Sequence, residues 1–168
     1  AGPFAGQAAT ELIFHYREPT MKILLPVDGS ELSLGAVRFA LDLSAQGLAV
    51  EAVLANVQEA STLYELLVAH DPEVLDKVAA EAGLHTLQSA RALLEARGMA
   101  YEMEVARGDP AHTLVEIAER FGCDMVAMGA RGNSALRSAM LGSVSNEVLH
   151  ACPVPVVIVK SPQEQDGV

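Results

Sequence analysis

Short apolar runs alternate with helical segments along most of this chain, and the alternation limits the folds that it can adopt. The runs lie at 22–27, 50–57, 101–106, 124–128 and 154–159. Most of them are apolar at nearly every position, which is typical of strands buried on both faces of a parallel sheet. The pattern therefore predicts an α/β fold, an open, doubly wound, five-stranded parallel sheet with helices on both faces.

The helices between the runs are marked by residues that start and stop them. Ser30 can cap the first helix through its side-chain oxygen. Gly98 ends a long helix that begins near Pro72, and Asp109 precedes a proline at the start of the next one. A last helix is predicted from about 143 to 151.

The charge of the chain argues against two classes of partner. It has 22 acidic and 11 basic residues, a formal net charge of -11, so nucleic acids and anionic membranes would be repelled. No apolar run approaches the roughly 20 residues of a membrane-spanning helix, and we find no signal-peptide pattern. We therefore expect a cytoplasmic protein with no membrane insertion. Cys123 and Cys152 match no metal-ligand spacing and are expected to be buried thiols.

A segment rich in glycine and serine follows the fourth run. Residues 129–145 read GARGNSALRSAMLGSVS, with three glycines, four serines, two arginines and no carboxylate. In so acidic a chain, a carboxylate-free segment indicates an anion held by local geometry. Gly129 would let a ligand approach the main chain closely. Gly132 could adopt the positive φ that turns successive N–H groups toward one point.

The end of the same segment opens the last helix. The first N–H groups of a helix have no partners within it and carry the positive end of its dipole. Those of Gly142, Ser143, Val144 and Ser145, together with the serine hydroxyls, could bind phosphate. Three or four such hydrogen bonds, at roughly 1.5 to 3 kcal/mol each, are consistent with about micromolar affinity for a polyphosphate.

A structural explanation of these residues also stays open. Glycine is common where a strand turns into a helix, and Gly142 with Ser143 could simply cap that helix. Arg131 and Arg137 are either phosphate contacts or ordinary surface arginines. Two other glycine signatures fail, because DGS stands where a dinucleotide-binding G-x-G-x-x-G would follow the first strand, and no GK[ST] occurs.

The spacing G-x2-G-x9-G-S of this segment resembles that of the universal stress protein family, in its nucleotide-binding branch. The opening KILLPVDGS, the run GDPAHTLVEIAERFGCDMVAMGARG and the ending GSVSNEVLHACPVPVVIVK are similar to the family in the same order. The resemblance covers residues 21–160 as one domain, between an N-terminal extension, 1–20, and a C-terminal tail, 161–168.

The resemblance implies a ligand and a set of site residues. The ligand would be ATP, AMP or ADP with Mg²⁺ or Mn²⁺. It would bind where a sheet of order 3-2-1-4-5 reverses its winding, between the first and fourth strands. The implied nucleotide-binding residues are Pro26, Val27, Asp28, Val57, Met128, Gly129, Arg131, Gly132, Gly142, Ser143, Val144 and Ser145.

Two of these residues have both an implied role and a structural alternative. Asp28 would accept a hydrogen bond from a ribose hydroxyl, or help to hold a metal that is bound mainly through the phosphates. An aspartate before Gly29 is also a common turn-forming residue. Val57 would pack on adenine, or would simply belong to the core. Asn56 stands where the family often has histidine.

Three functions are compatible with these residues. The first is a nucleotide-binding regulatory protein of the stress response, whose occupancy changes its partner or its assembly state. The second is a slow ATP hydrolase or phosphotransferase that uses the same site, with Ser143 as a candidate acceptor. The third is a dimeric structural module that binds no nucleotide. The sequence indicates no Ser/His/Asp or Cys/His set, so binding is favoured over catalysis.

The last strand is predicted to join two copies of the chain. Residues 154–159 would lie at the sheet edge, where unpaired main-chain groups invite association, and Pro155 suits an edge strand. The resemblance implies a homodimer about a twofold axis through this strand. The alternative is a monomer whose edge is covered by the extension, 1–20. That extension is expected to be a start-site artefact, and the alternative is a swapped or docking arm that uses Leu12, Ile13 and Phe14.

Overall fold

The computed structural model of the chain describes residues 19–60, 71–131 and 141–160. The predictions for Gly132, for Arg137, for most of the N-terminal extension and for the C-terminal tail lie outside these residues. The strands are β1 (Met21–Pro26), β2 (Val50–Gln58), β3 (Tyr101–Arg107), β4 (Met125–Gly129) and β5 (Val156–Val159). The helices are α1 (Glu31–Ala45), α2 (Pro72–Ala96), α3 (Pro110–Arg120) and α4 (Ser143–Ala151).

The strands form one parallel sheet of order β3-β2-β1-β4-β5, which confirms the predicted fold and strand order. Strand β1 lies in the centre, paired with β2 along its whole length and with β4 at Ile23 and Leu24. The chain winds outward from β1 in both directions. Ligands of open parallel sheets bind beyond the strand ends at such a reversal, here between β1 and β4.

The central strand is covered by a helix layer on each face of the sheet. Ile23 and Leu25 point into a core cluster with α1 and α2, whereas Leu24 points into a second cluster with α3 and α4. All three side chains have 0% relative exposure. Successive side chains of a strand face opposite sides, so this strand must be apolar at every interior position.

The predicted helix starts are present as side-chain caps. The Ser30 hydroxyl oxygen accepts a hydrogen bond from the Ser33 N–H at 3.2 Å and caps α1. The Asp109 carboxylate accepts from the His112 N–H at 2.9 Å and caps α3. Each cap pairs one of the N–H groups that the first helical turn leaves without a partner in the helix.

Only the second half of α2 packs on the sheet. Its buried positions run from Gly83 to Leu94, but Val74, Val78 and Leu84 are about half exposed although they repeat at helical spacing. A Cβ at Gly83 would lie 2.4 Å from the Val105 side chain, so the helix approaches β3 very closely at this turn. No helix in the described part of the chain is long and apolar enough to cross a membrane.

The two cysteines differ in burial, so the prediction of two buried thiols is right for only one of them. Cys123 is 5% exposed, whereas Cys152 is half-buried at the end of α4. Burial raises the pKa of the Cys123 thiol to about 11, because desolvation disfavours the thiolate. The thiolate is the reactive form, so Cys123 is protected both by its position and by its protonation.

We predict that Cys152 reacts before Cys123 with a thiol-alkylating reagent at pH 8 in the folded protein. A thiol of pKa about 11 is ionised in only about one molecule in a thousand at that pH. Mass spectrometry of peptides taken at successive labelling times would measure the alkylation rates of the two cysteines. The two rates should become equal in denaturant. Equal rates in the folded protein would contradict the burial of Cys123.

Candidate functional site

A cleft of about 360 Å³ opens at the carboxyl ends of β1, β2 and β4. Its volume lies within the range of small-molecule sites, roughly 300 to 1,000 Å³. Eleven of the twelve residues that the sequence implied line this cleft: Pro26, Val27, Asp28, Val57, Met128, Gly129, Arg131, Gly142, Ser143, Val144 and Ser145. The twelfth, Gly132, lies outside the described residues. Their part in binding stays a prediction.

Six further residues line the cleft and were not predicted from the sequence: Ser33, Ala55, Asn56, Glu59, Pro110 and Leu114. Ser33 comes from the first turn of α1, and the last two come from the start of α3, which follows β3. The strand order brings these segments to the same end of the sheet. Strand alternation places Ala55 on the same face as Val57, and that signal was available in the sequence.

Asp28 closes the turn after β1. Its Oδ1 accepts from the Ser30 N–H at 2.9 Å and from the Ser30 hydroxyl at 2.6 Å, and Gly29 between them has φ 83°. This is the turn-forming role that was left open for an aspartate before glycine. The carboxylate is exposed at the mouth of the cleft, so this role and a contact with a ligand are compatible.

Main-chain N–H and C=O groups at the end of β2 face the cleft. The Ala55 carbonyl accepts from the Val27 N–H at 2.8 Å, and the Gln58 carbonyl accepts from the Gly108 N–H at 3.0 Å. Main-chain groups of a strand point alternately to its two neighbours, so the N–H and C=O of Val57 face the side of β1. Strand β1 has ended at Pro26, and these groups therefore face the cleft.

Gly129 has a structural reason to be glycine besides the predicted one. That its missing Cβ leaves room for a ligand stays a prediction. A Cβ there would lie 2.9 to 3.0 Å from the backbone C and O and the Cβ of Leu32. Real Cβ atoms do not come so close to a backbone, so glycine is needed for the first turn of α1 to pack against the end of β4.

Gly142 and Ser145 each make a hydrogen bond within the protein, and their part in binding stays a prediction. Gly142 has φ -64°, and its N–H donates to the Ala130 carbonyl at 2.8 Å, so this N–H is used within the protein. The Ser145 hydroxyl is buried and donates to the Gly129 carbonyl at 2.9 Å. It does not point to the cleft as a phosphate donor, because its proton is committed to fixing α4 against β4.

The first turn of α4 nevertheless opens on the cleft. Its N-cap, Gly142, makes no side-chain capping hydrogen bond, and the first turn contains no acidic residue. Ser143 is exposed, and Val144 is partly buried against the core cluster of α3 and α4. The main-chain N–H groups at this end carry the positive end of the helix dipole, which favours an anion.

The described residues contain no cluster of three or more His, Cys, Asp or Glu side chains that could hold a metal. Asp28 and Glu59 line the β1 and β2 side of the cleft, and Arg131 lines the side nearer α4. Glu59 follows β2, Asp28 follows the central strand β1, and α4 begins beyond β4, so the carboxylates and the helix N-terminus line different sides of the cleft.

The fold and the cleft define a doubly wound α/β protein with a potential ligand site at the point where its winding reverses. Comparison with known families identifies it further. The model of the universal stress protein family matches residues 19–160, and the chain belongs to that family.

Relatives and solved structures agree with this assignment. The chain is 31% identical to the universal stress protein MJ0531 of Methanocaldococcus jannaschii, over 86% of this chain and 84% of that one. It is 32% identical to the Bacillus subtilis universal stress protein YxiE, over 83% and 98%. The solved structure of the hypothetical protein MJ0577 superposes with a TM-score of 0.71 at 28% identity, over 84% and 96%.

Two more distant structures share the fold and contain nucleotides. One is a universal stress protein in complex with cAMP, with a TM-score of 0.56 at 24% identity, over 83% of this chain and 95% of that one. The other is an Arabidopsis thaliana family member with AMP bound, with a TM-score of 0.61 at 18% identity, over 88% and 96%.

We predict that Gly129→Ala lowers the free energy of unfolding by about 1 to 3 kcal/mol, the usual cost of overpacking against atoms that cannot move away. Urea unfolding followed by circular dichroism would measure the change. Gly35→Ala, in the middle of α1, is the matched control, because its Cβ would lie 3.6 Å from Val159 in ordinary contact. It should leave stability unchanged or raise it. Equal effects of the two alanines would contradict the close packing at Gly129.

Proposed function

We propose that the chain is a regulatory protein that binds an adenine nucleotide, ATP, ADP or AMP, in the cleft between β1, β2 and the start of α4. The observation that carries this proposal is the α4 N-terminus, which meets the cleft with no side-chain cap and no acid in its first turn. Such an end suits a phosphate. The occupancy of the cleft would then change a partner or the assembly state of the protein under stress.

The two sides of the cleft favour one orientation of the nucleotide. Phosphates avoid Asp28 and Glu59 and bind the main-chain N–H groups of Ser143, Val144 and Ser145. The base lies against the side chain of Val57, whose N–H and C=O offer one donor and one acceptor. The ribose is then near Asp28. The cAMP and AMP complexes of proteins with this fold support a nucleotide as the ligand class.

A divalent cation would be held mainly by the phosphates in this arrangement. Asp28 is the carboxylate that could assist, although its Oδ1 already accepts two hydrogen bonds from Ser30. Mg²⁺ or Mn²⁺ suits this role because both prefer oxygen ligands and often keep several waters. When bound, the cation would neutralise part of the phosphate charge, which lowers the repulsion from an acidic chain.

We propose binding with slow turnover at most. A general base must take a proton within hydrogen-bond reach of the substrate, and the Asp28 Oδ1 already accepts from the Ser30 N–H and hydroxyl. The alternative function, a hydrolase or phosphotransferase with Ser143 as the acceptor, is separated from binding by single-turnover kinetics with labelled ATP. Native mass spectrometry of the purified protein would reveal a nucleotide that it retains.

We predict that Ser143→Asp weakens ATP binding at least about tenfold, since a carboxylate at this position repels the phosphates. The same change should leave the fold intact or stabilise it slightly, because an acid in the first turn favours the helix dipole. Isothermal titration calorimetry would measure the affinity, and thermal unfolding would measure the stability.

Asn146→Asp is the matched control for that experiment. Asn146 is exposed on the same helix, and it is not among the residues that line the cleft. It therefore adds the same charge without touching the proposed phosphate position. An equal loss of affinity in both variants would indicate a general charge effect, and no loss at Ser143 would contradict the phosphate position.

We further propose a homodimer through β5. The strand lies at the edge of the sheet, with Val156 and Ile158 packed toward the layer of α3 and α4. The Pro155 carbonyl accepts from the Val126 N–H of β4, and the Val159 carbonyl accepts from the Ala130 N–H just after it. By alternation, the N–H and C=O groups of Val156 and Ile158 therefore point outward. The strand begins at Val156 and not at Val154 as predicted, so it is two residues shorter than the predicted strand 154–159.

We predict that the wild type has twice its monomer mass of 17.7 kDa by light scattering at micromolar concentration, and that Ile158→Lys lowers this mass. A lysine there would place a charge at the contact between the two edges. Met103→Lys is the control, because Met103 is exposed on β3 at the opposite edge. Circular dichroism must show that both variants are folded. A wild-type mass of one chain would overturn the dimer.

A further inference from the structure

One buried carboxamide ends the pairing of β1 with β2 at the floor of the cleft. Asn56 is 5% exposed, and its Nδ2 donates to the Val27 carbonyl at 2.7 Å. Few polar side chains are buried this deeply in the described part of the molecule; the others are Ser33 and Ser145. A buried amide is costly unless its hydrogen bonds are made, so its orientation is tightly determined.

The Val27 carbonyl is the acceptor that a regular ladder would give to Val57. The pair Pro26↔Ala55 is the last one between β1 and β2, and the Val27 N–H still donates to the Ala55 carbonyl. In a continuing parallel ladder, the next donor to the Val27 carbonyl would be the Val57 N–H. The Asn56 side chain supplies that hydrogen bond in its place, so the ladder stops one step early.

The Val27 carbonyl, which can only accept, and Gln58 together set which way the carboxamide points. The Gln58 Nε2 donates to the Asn56 Oδ1, so the oxygen of the amide faces Gln58 and its nitrogen faces Val27. Helix α2 closes the third side, since a Cβ at Gly83 would lie 3.1 Å from the same Oδ1. A reversed amide would set its oxygen against the Val27 carbonyl and its nitrogen against the Gln58 donor, and both contacts would be repulsive.

We propose that Asn56, oriented by Gln58, is a positioning residue for the base: by occupying the Val27 carbonyl it keeps the Val57 N–H and C=O turned to the cleft. This inference rests on the proposed function and adds to it the means of base selection. A main-chain donor beside an acceptor complements the 6-amino edge of adenine, with N1 as acceptor and N6 as donor. A 6-oxo purine presents the opposite order at these two positions.

Calorimetry with ATP and ITP tests the effect on selection, since the two nucleotides differ only at this edge of the base. The wild type should prefer ATP at least about tenfold, as expected when a mismatched polar edge is left unpaired. Asn56→Leu, similar in size but without the amide, should weaken ATP binding about tenfold and bring the ratio close to one. Gln58→Leu should act in the same direction but less, and should add nothing to Asn56→Leu.

Hydrogen exchange measured by NMR tests the geometry without any nucleotide. In the free wild type the Val57 amide proton should exchange quickly, because it faces the cleft. In Asn56→Leu the Val27 carbonyl is released, so the Val57 N–H can pair with it and its exchange should slow at least about tenfold. A merely structural role of Asn56 predicts the reverse, a faster exchange of the weakened strand end.

Leu94→Val is the control for a general loss of stability. Leu94 is fully buried near the end of α2, and it is not among the residues that line the cleft. The Leu94→Val variant should lower the melting temperature and leave the ratio of ATP affinity to ITP affinity unchanged.

The outcomes separate the two proposals. A wild type that binds neither nucleotide overturns the proposed function and this inference with it. A wild type that binds ATP, together with an Asn56→Leu variant that keeps the same ratio and a fast Val57 exchange, overturns this inference alone.

Discussion

The burial of β1 from both faces is the constraint on which the rest of the structure depends. Ile23 and Leu25 contact one helix layer and Leu24 contacts the other, so the strand does not suit an edge of the sheet, and it lies in the middle. With β1 in the middle, the chain must wind outward on both sides. The ends of β1 and β4 then part, and the cleft lies where they part. The position of the cleft is thus a consequence of packing.

The wall of the cleft at the end of β4 is held by tertiary contacts that the sequence does not reveal. The end of β4 is held by α1, which packs on Gly129 through Leu32, and by α4, whose Ser145 hydroxyl donates to the Gly129 carbonyl. A single residue therefore joins two helices from opposite faces of the sheet. This arrangement fixes the start of α4 relative to the strand, and a helix end must be fixed in this way to hold a ligand in one position.

Sequence reasoning found the elements from periodicity and caps, and the resemblance implied the strand order and most of the residues that line the cleft. The strand order, the Ser30 and Asp109 caps and eleven cleft residues needed only local patterns and the resemblance. It failed where a tertiary neighbour decides the role of a residue. Nothing near Gly129 in the sequence indicates Leu32, and nothing near Ser145 indicates that its hydroxyl proton would go to a carbonyl sixteen residues earlier. The exposure of Val74 and Val78 in α2 was missed for the same reason. Periodicity shows which side of a helix is apolar, but it does not show whether another element packs against that side.

Three polar side chains of the cleft share one property. Asp28 Oδ1 accepts from Ser30, Asn56 donates to Val27, and Ser145 donates to Gly129. Each of these bonds is internal, and each fixes a piece of main chain at the edge of the cleft. In the proposed function, recognition falls to main-chain N–H and C=O groups, whose direction is set by the strands and by α4. Main-chain dipoles attract an anion without adding net positive charge, and the proposed site would use them to hold phosphate in a chain of formal charge -11.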